Sequence, residues 1–421
     1  MKEITPRATV DAALSVPGSK SLTHRALIVA ALARGKSRIQ GCLSCEDTEY
    51  TLGCLKQMGV SVSGGPGYLD VAGMGGKWPD TRSVRRVFLG NSGTSMRLLL
   101  SVFALFRGEY LLDGTPRMRQ RPVAALVAAL NRLGADARCV DGTGCPPVLI
   151  RAGGLEGGKV RVSGEESSQY VSSLLLSAPF ARTDVEIVVT GKAVSTPYVD
   201  MTLDVMRAFG VSVSREGHRY FRVPAGRGYE GRPYIVEADV SNAAYFWAAA
   251  AVTGGRVTIE GIAPFSTRQG DIGFLEILEK MGCRIEKGPS SVTVHGGPLK
   301  GIDADMGDMP DLVPTLAAIA LFAEGKTVVR NVPHLRYKES DRLGDLCREW
   351  SRLGAGAAET ADGLVIHGGA PLHEAILDPH DDHRLAMSLA VAGLRVPGLR
   401  IRNEACVNKS FPFFWELWDA L

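Results

Sequence analysis

Gly90-Asn91-Ser92-Gly93-Thr94-Ser95-Met96-Arg97, running on into Leu98-Leu99-Leu100-Ser101-Val102-Phe103-Ala104-Leu105-Phe106, joins a Gly-rich polar turn to an apolar run. Two glycines free the backbone, Asn91, Ser92 and Thr94 are helix-capping residue types, and the first turn of the helix they open presents unpaired N–H groups outward. Taken alone, the stretch is accounted for by a turn and a cap. Recurrence of the same design along the chain makes it the key to the fold.

Met58-Gly59-Val60, Leu133-Gly134-Ala135, Phe209-Gly210-Val211, Met281-Gly282-Cys283 and Leu353-Gly354-Ala355 place a glycine at intervals of 72 to 76 residues. Each follows an amphipathic run such as Val123 to Leu130 or Phe274 to Lys280 and fits a helix C-cap. Short β-like pieces come next, for example Val211 to Val213 then Tyr220 to Val223, or Arg284 to Glu286 then Ser291 to Val294. The front half of each unit is a more apolar helix and a strand. Six such helices are expected: Thr23 to Leu32, Ser95 to Phe106, Tyr170 to Phe180, Ala243 to Thr253, Leu312 to Phe322 and Leu385 to Leu394. Being apolar nearly all round, they should be the buried ones.

Six front halves but five internal glycines leave the last unit to close differently. It ends in a helix expected over Phe413 to Leu421, and its closing strands are expected from the N-terminus, Glu3 to Thr5 and Ala13 to Val16. This predicts an α/β protein of two three-unit domains. One spans 19–238; the other combines 1–18 with 239–421; hinges fall near 16–19 and 236–240.

The 421 residues carry 48 basic and 45 acidic side chains, a balance that does not point to nucleic acid as a partner. Met1 to Arg7 lacks a signal-peptide core, and no apolar run reaches the roughly 20 residues of a spanning helix. A cytoplasmic protein with no membrane contact is expected. Eight scattered cysteines fit reduced thiols, and neither Cys42-x-x-Cys45 nor His380-x-x-His383 has the companions of a metal site. No metal and no cofactor are expected, and the absence of a Walker loop argues against a nucleotide triphosphatase.

Polar clusters stand ahead of each buried helix: Gly18 to Arg25, Gly90 to Arg97, Ser167 to Gln169, Asp239 to Asn242, Asp308 to Asp311 and His380 to Arg384. A second series follows the strands, at Arg117 to Arg121, Ser195 to Tyr198, Arg336 to Arg342 and Asn408 to Ser410. If the units are equivalent, each domain gathers these clusters on one face, and two such faces form a cleft suited to a substrate with several anionic groups. Asp311 and Glu339 are proton-transfer candidates among the cations, and ion pairing with Lys338 and Arg342 accounts for them equally well.

At these residues the chain closely resembles the EPSP synthases, the 3-phosphoshikimate 1-carboxyvinyltransferases. The motifs are Pro17 to Ser21, Leu89 to Thr94, Asp113 to Pro122, Ser167 to Gln169, Arg336 to Arg342, Asp382 to Arg384 and Asn408 to Pro412. The resemblance implies a two-domain inside-out α/β barrel with three βαβαββ repeats per domain, and transfer of the enolpyruvyl group of phosphoenolpyruvate to the 5-hydroxyl of shikimate 3-phosphate. By motif, Lys20, Ser21, Arg25, Ser167, Ser168, Gln169, Ser195, Asp311 and Lys338 would hold shikimate 3-phosphate, with His334 a contact where the family often has Asn. Lys20, Gly93, Arg121, Gln169, Arg342, Arg384 and Lys409 would hold phosphoenolpyruvate. Asp311, Glu339 and Lys20 are the expected catalytic groups, with Asp311 accepting the hydroxyl proton and Glu339 delivering and retrieving the methylene proton.

The resemblance further implies a monomer inhibited by glyphosate, since Gly93 is the small residue of the sensitive class. Leu98 stands where many members carry Pro, which bears on the helix start. The related UDP-N-acetylglucosamine enolpyruvyl transferases carry a loop Cys where this chain reads Asp113 to Arg117. A non-catalytic anion-binding repeat protein would not require Asp311 and Glu339.

Overall fold

The computed structural model describes residues 1–65, 67–77 and 84–421. Twelve α-helices appear in order among them: α1 (Lys20–Leu32), α2 (Glu46–Gln57), α3 (Gly93–Leu105), α4 (Ala124–Arg132), α5 (Ser168–Ser177), α6 (Pro197–Ala208), α7 (Val240–Thr253), α8 (Phe274–Met281), α9 (Val313–Ala320), α10 (Arg342–Arg352), α11 (His383–Gly393) and α12 (Phe414–Asp419). None of them is long and apolar enough to cross a membrane.

The odd-numbered helices α1 to α11 are the apolar ones, and all but α9 start earlier than the apolar runs do. Their polar caps supply the reason. The side chains of Ser19, Ser92, Ser167, Asp239 and Asp382 accept from backbone N–H groups two or three residues on, so the charged residues between cap and apolar run already belong to the first turn. Only α9 opens differently, through a 3-10 turn over Pro310–Leu312. Leu98 lies fully buried inside α3, which starts at Gly93, so it does not displace the helix start.

Gly59, Gly134, Gly210, Gly282 and Gly354 all have φ between 87° and 111°, the left-handed region in which a β-carbon is penalised. Each reverses the chain into an antiparallel pair. The pairs are Ser61–Gly65 with Tyr68–Met74, Asp136–Cys139 with Val148–Gly153, Ser214–Glu216 with Tyr220–Val223, Arg284–Lys287 with Ser291–His295, and Gly356–Glu359 with Leu364–His367. In the third pair the strand begins at Ser214 rather than at Val211, because Val211 turns inward to the core behind the cap.

Among the described residues, five four-stranded sheets share one order: an outer strand parallel to the strand after the buried helix, then the two hairpin strands. Arg256–Glu260 shows why these segments are strands. Val257 and Ile259 are fully buried and alternate with Arg256 and Glu260 in solvent, each buried side chain contributing about 1.5–3 kcal/mol.

The N-terminal strands split between two sheets, against expectation. Lys2–Glu3 pairs antiparallel with Arg400–Ile401 in the sixth, three-stranded sheet, whereas Asp11–Ser15 runs parallel to Arg256–Glu260 and completes the fourth. Pro233–Ile235 completes the first sheet in the same way, parallel to Arg38–Gln40. An outer strand is needed at the edge of each repeat's sheet, and in these two repeats it comes from a distant part of the chain.

Two compact lobes result, Gly18–Val236 and Met1–Pro17 with Glu237–Leu421, each with its own apolar core. In the first, α3 packs against α1 and α5; in the second, α7, α9 and α11 pack pairwise, and α7 is buried along its whole length.

Candidate active site

In the lobe Gly18–Val236 the starts of α1, α3 and α5 are tied together by side chains. Lys20, in the first residue of α1, sets its Nζ 2.9 Å from Oδ2 of Asp47, which is buried. Ser95 of α3 donates to the Asp47 carbonyl at 3.0 Å and is linked through Thr51 to Nδ1 of His24. Arg97 of α3 donates to Oε1 of Gln169 at 2.9 Å, while the Gln169 amide donates to Thr94 at 3.0 Å. Gln169 is thereby fixed in orientation by two opposite bonds, beside Ser167 and Ser168 at the α5 start. Arg121, buried after the 3-10 turn Met118–Gln120, reaches back to the Asn91 carbonyl at 2.8 Å and so arches over the Gly90–Thr94 turn.

Gly93 explains that arch. A β-carbon there would lie 2.4 Å from Nη2 and 2.7 Å from Cζ of Arg121. The absent side chain makes room for a guanidinium beside a helix N-terminus, an anion-holding pair.

Arg25, expected by motif among the groups holding shikimate 3-phosphate, is tied into the protein behind Ser21. Its guanidinium is buried and donates to Thr202 Oγ1, the Ser21 carbonyl, Ser172 Oγ and the Tyr198 carbonyl, and burial lowers its pKa to about 10. It joins the start of α1 to α5 and α6, steadying Ser21 and the loop holding Ser195. Ser195 itself has φ of 54° and is buried just ahead of α6.

The lobe of Met1–Pro17 and Glu237–Leu421 gathers a charge network. Arg342, 1% exposed at the start of α10, donates through Nε to Asp382 at 2.7 Å, through Nη1 to Asp311 at 3.0 Å and through Nη2 to Glu339 at 2.9 Å. Burial opposes its charge, but Asp382, Glu339 and Asp311 outweigh burial and raise its pKa. Arg384, in the first turn of α11, donates to the other Asp311 oxygen at 2.8 Å and to the Tyr245 hydroxyl at 3.4 Å; Lys338 Nζ lies 3.9 Å from Asp311. Burial alone would lift the Asp311 carboxyl, yet Arg384, Lys338 and Arg342 pull it well below the usual range. Asp311 is ionised, Glu339 shares its cation, and Lys409 stands buried at the end of the 3-10 helix Glu404–Lys409.

His334 is buried with neither ring nitrogen hydrogen-bonded, and burial followed by Lys338 lowers its pKa to about 3. It is a neutral imidazole with a donor and an acceptor to offer.

Several groups carry the site without having been singled out from the residues. Arg97 and Asp382 lie in or beside the quoted motifs and Asp47 lies outside them, and their partners reveal all three only in three dimensions. Asp271 gave no signal at all. Buried ahead of α8, it accepts from Ser241 Oγ, and burial together with Asp311 pushes its carboxyl up to about 7. Among the described residues no three of His, Cys, Asp and Glu gather as a metal site.

The sequence profile of the EPSP synthases, 3-phosphoshikimate 1-carboxyvinyltransferases, matches residues 4–418. The 3-phosphoshikimate 1-carboxyvinyltransferase of Methanoculleus marisnigri is 48% identical over 414 residues, covering 98% of this chain and 97% of its own. That of Syntrophobacter fumaroxidans is 47% identical, covering 100% and 99%. The solved EPSP synthase of Acinetobacter baumannii superposes with a TM-score of 0.81 at 31% identity, over 99% of this chain and 97% of that one. Match length, identity and superposition agree on the two-domain inside-out α/β fold and on one family: the chain belongs to the EPSP synthases, the 3-phosphoshikimate 1-carboxyvinyltransferases.

Proposed function

We propose that the two polar faces divide the work of the family's reaction, the transfer of the enolpyruvyl group of phosphoenolpyruvate to the 5-hydroxyl of shikimate 3-phosphate with release of phosphate. The observation that carries the division is the contrast in charge. The face built on α1, α3 and α5 offers hydroxyls, an oriented amide and cations, with one carboxylate, Asp47, on Lys20, whereas the other sets Asp311, Glu339 and Asp382 together around Arg342.

Lys20, Ser21, Arg25, Ser167, Ser168, Gln169 and Ser195 would hold shikimate 3-phosphate, with Arg25 also bonded to the Ser21 carbonyl. Asp311, His334 and Lys338 would take its hydroxyl edge. Lys20, Gly93, Arg121, Gln169, Arg342, Arg384 and Lys409 would hold phosphoenolpyruvate. Neither face has all the groups, so the reaction as proposed requires both.

Asp311 is ionised but, clamped by Arg342 and Arg384, weakly basic. An incoming phosphoenolpyruvate competes for those guanidiniums, and each one drawn off raises the basicity of Asp311 when the hydroxyl must give up its proton. Glu339 would protonate the methylene carbon as the hydroxyl oxygen bonds to its neighbour. The tetrahedral adduct then loses a methyl proton to Glu339 and expels phosphate. Lys20 and Lys409 would stabilise the phosphate oxygens throughout.

The test is phosphate release from phosphoenolpyruvate, measured with shikimate 3-phosphate and with UDP-N-acetylglucosamine. Release with the first alone is expected. Release with the second alone would replace this reading with the related transferase, and release with neither would leave an anion-binding protein.

Glyphosate is expected to compete with phosphoenolpyruvate below the millimolar range, because Gly93 leaves its phosphonate room. In Gly93→Ala the added methyl pushes Arg121 out of its arch. KM for phosphoenolpyruvate should rise by about tenfold, and glyphosate inhibition should weaken further than that. Unchanged inhibition in this variant would remove Gly93 from the anion site.

A further inference from the structure

The turn that delivers Asp382 and Arg384 is unusual. His380 and Asp381 have φ of 52° and 55°, two successive side-chain-bearing residues in the left-handed region, which costs on the order of 1–2 kcal/mol per residue. Such a turn persists only where its surroundings over-determine it. Here Asn403 donates to Asp381 Oδ1 from one side, and α10 supplies the ties to the rest of the turn. Glu349 of α10 is fully buried; its Oε2 accepts the Asp378 N–H at 2.9 Å and the Arg352 guanidinium at 3.2 Å, and its Oε1 lies 2.9 Å from Nε2 of His380. The turn closes on itself through the His380 N–H to Asp378 Oδ1 and the Asp382 N–H to the Pro379 carbonyl.

Glu349 stands seven residues beyond Arg342, two turns along the same face of α10, about 10 Å away. One helix therefore grips the turn at both ends, Arg342 through Asp382 and Glu349 through Asp378 and His380. We infer that Glu349 and His380 form a positioning pair that holds the left-handed turn and so sets where Arg384 meets an anion. The inference rests on Arg384 holding phosphoenolpyruvate. His380 thus has a duty unrelated to the metal pattern its spacing with His383 imitates.

His380→Ala removes the tie and leaves a β-carbon in the left-handed region; His380→Gly removes the tie and the penalty together. KM for phosphoenolpyruvate should rise by about tenfold in His380→Ala and by less in His380→Gly, with KM for shikimate 3-phosphate within about twofold of wild type in both. Glu349→Gln, which keeps shape and one acceptor, should resemble His380→Ala. Hydrogen exchange at the amides of 382–384 should quicken in His380→Ala while exchange in α7 does not, a readout independent of which anion binds.

A merely structural role would raise both KM values together and would make Gly no better than Ala. That pattern, or unchanged exchange in His380→Ala, overturns the pairing. A wild-type enzyme that releases no phosphate with shikimate 3-phosphate instead overturns the functional reading, and is recognised before any variant is made.

Discussion

Arg342→Met is expected to lower stability by about 3–5 kcal/mol and turnover by at least about a hundredfold. The guanidinium is the shared partner of Asp311, Glu339 and Asp382, and Asp382 has no exposure to solvent. Methionine replaces the stem but not the charge, which leaves buried Asp382 without its cation and Asp311 with one guanidinium fewer. Asp311, held well below the usual range in part by Arg342, contributes stability that is present above about pH 4 and lost as pH falls, so the deficit against wild type should be larger at about pH 7 than at about pH 3. Urea unfolding at the two pH values reads the difference. Adding Asp382→Leu to Arg342→Met should recover part of the stability and none of the activity. A pH-independent loss, or no recovery, would show that Arg342 is not the hub of the network.

Much of this was legible in the chain because the repeat writes itself twice, as glycines that only a left-handed C-cap explains and as apolar helices behind polar caps. Gly59 to Gly354 mark five hairpins, and Ser19, Ser92, Ser167, Asp239 and Asp382 mark five helix starts. What local pattern could not give was the partner of a segment far away in sequence. Asp11–Ser15 has the alternation of a strand, and nothing in it says that its neighbour is Arg256–Glu260 rather than the end of the chain.

The site divides along the same line. Residue types named the cations and carboxylates, but whether a cation faces substrate or protein depends on burial and donors. Arg25 and Arg121 are both buried arginines in polar motifs. The first turned out to be committed to four protein groups across α1, α5 and α6, and the second to the helix start beside Gly93. Asp271 and Glu349 sit in ordinary amphipathic surroundings; one becomes notable through Ser241 and the charge of Asp311, the other through a turn thirty residues on.

Glu339→Gln offers the sharpest separation of chemistry from binding. Glu339 touches Arg342 through one oxygen at 2.9 Å, an acceptor that glutamine retains, so the network and the fold should survive. By its proposed role, what is lost is proton transfer at the methylene carbon, and turnover should fall by about a hundredfold or more with KM for both substrates within about threefold. Asp311→Asn should behave differently. Asp311 accepts from two guanidiniums on two oxygens, and asparagine turns one acceptor into a donor facing Arg342 or Arg384. Both turnover and KM should suffer there.

Isotope uptake identifies the step. By the proposed mechanism the wild-type reaction in D2O adds a deuteron to the methylene carbon and then removes any one of the three methyl hydrogens, so a large share of the product should carry deuterium on its enolpyruvyl carbon. Glu339→Gln should slow that incorporation in step with turnover. If deuterium still entered phosphoenolpyruvate at the wild-type rate while phosphate release was slow, Glu339 would serve expulsion of phosphate rather than protonation of carbon, and Lys20 or Lys409 would be left to deliver the proton.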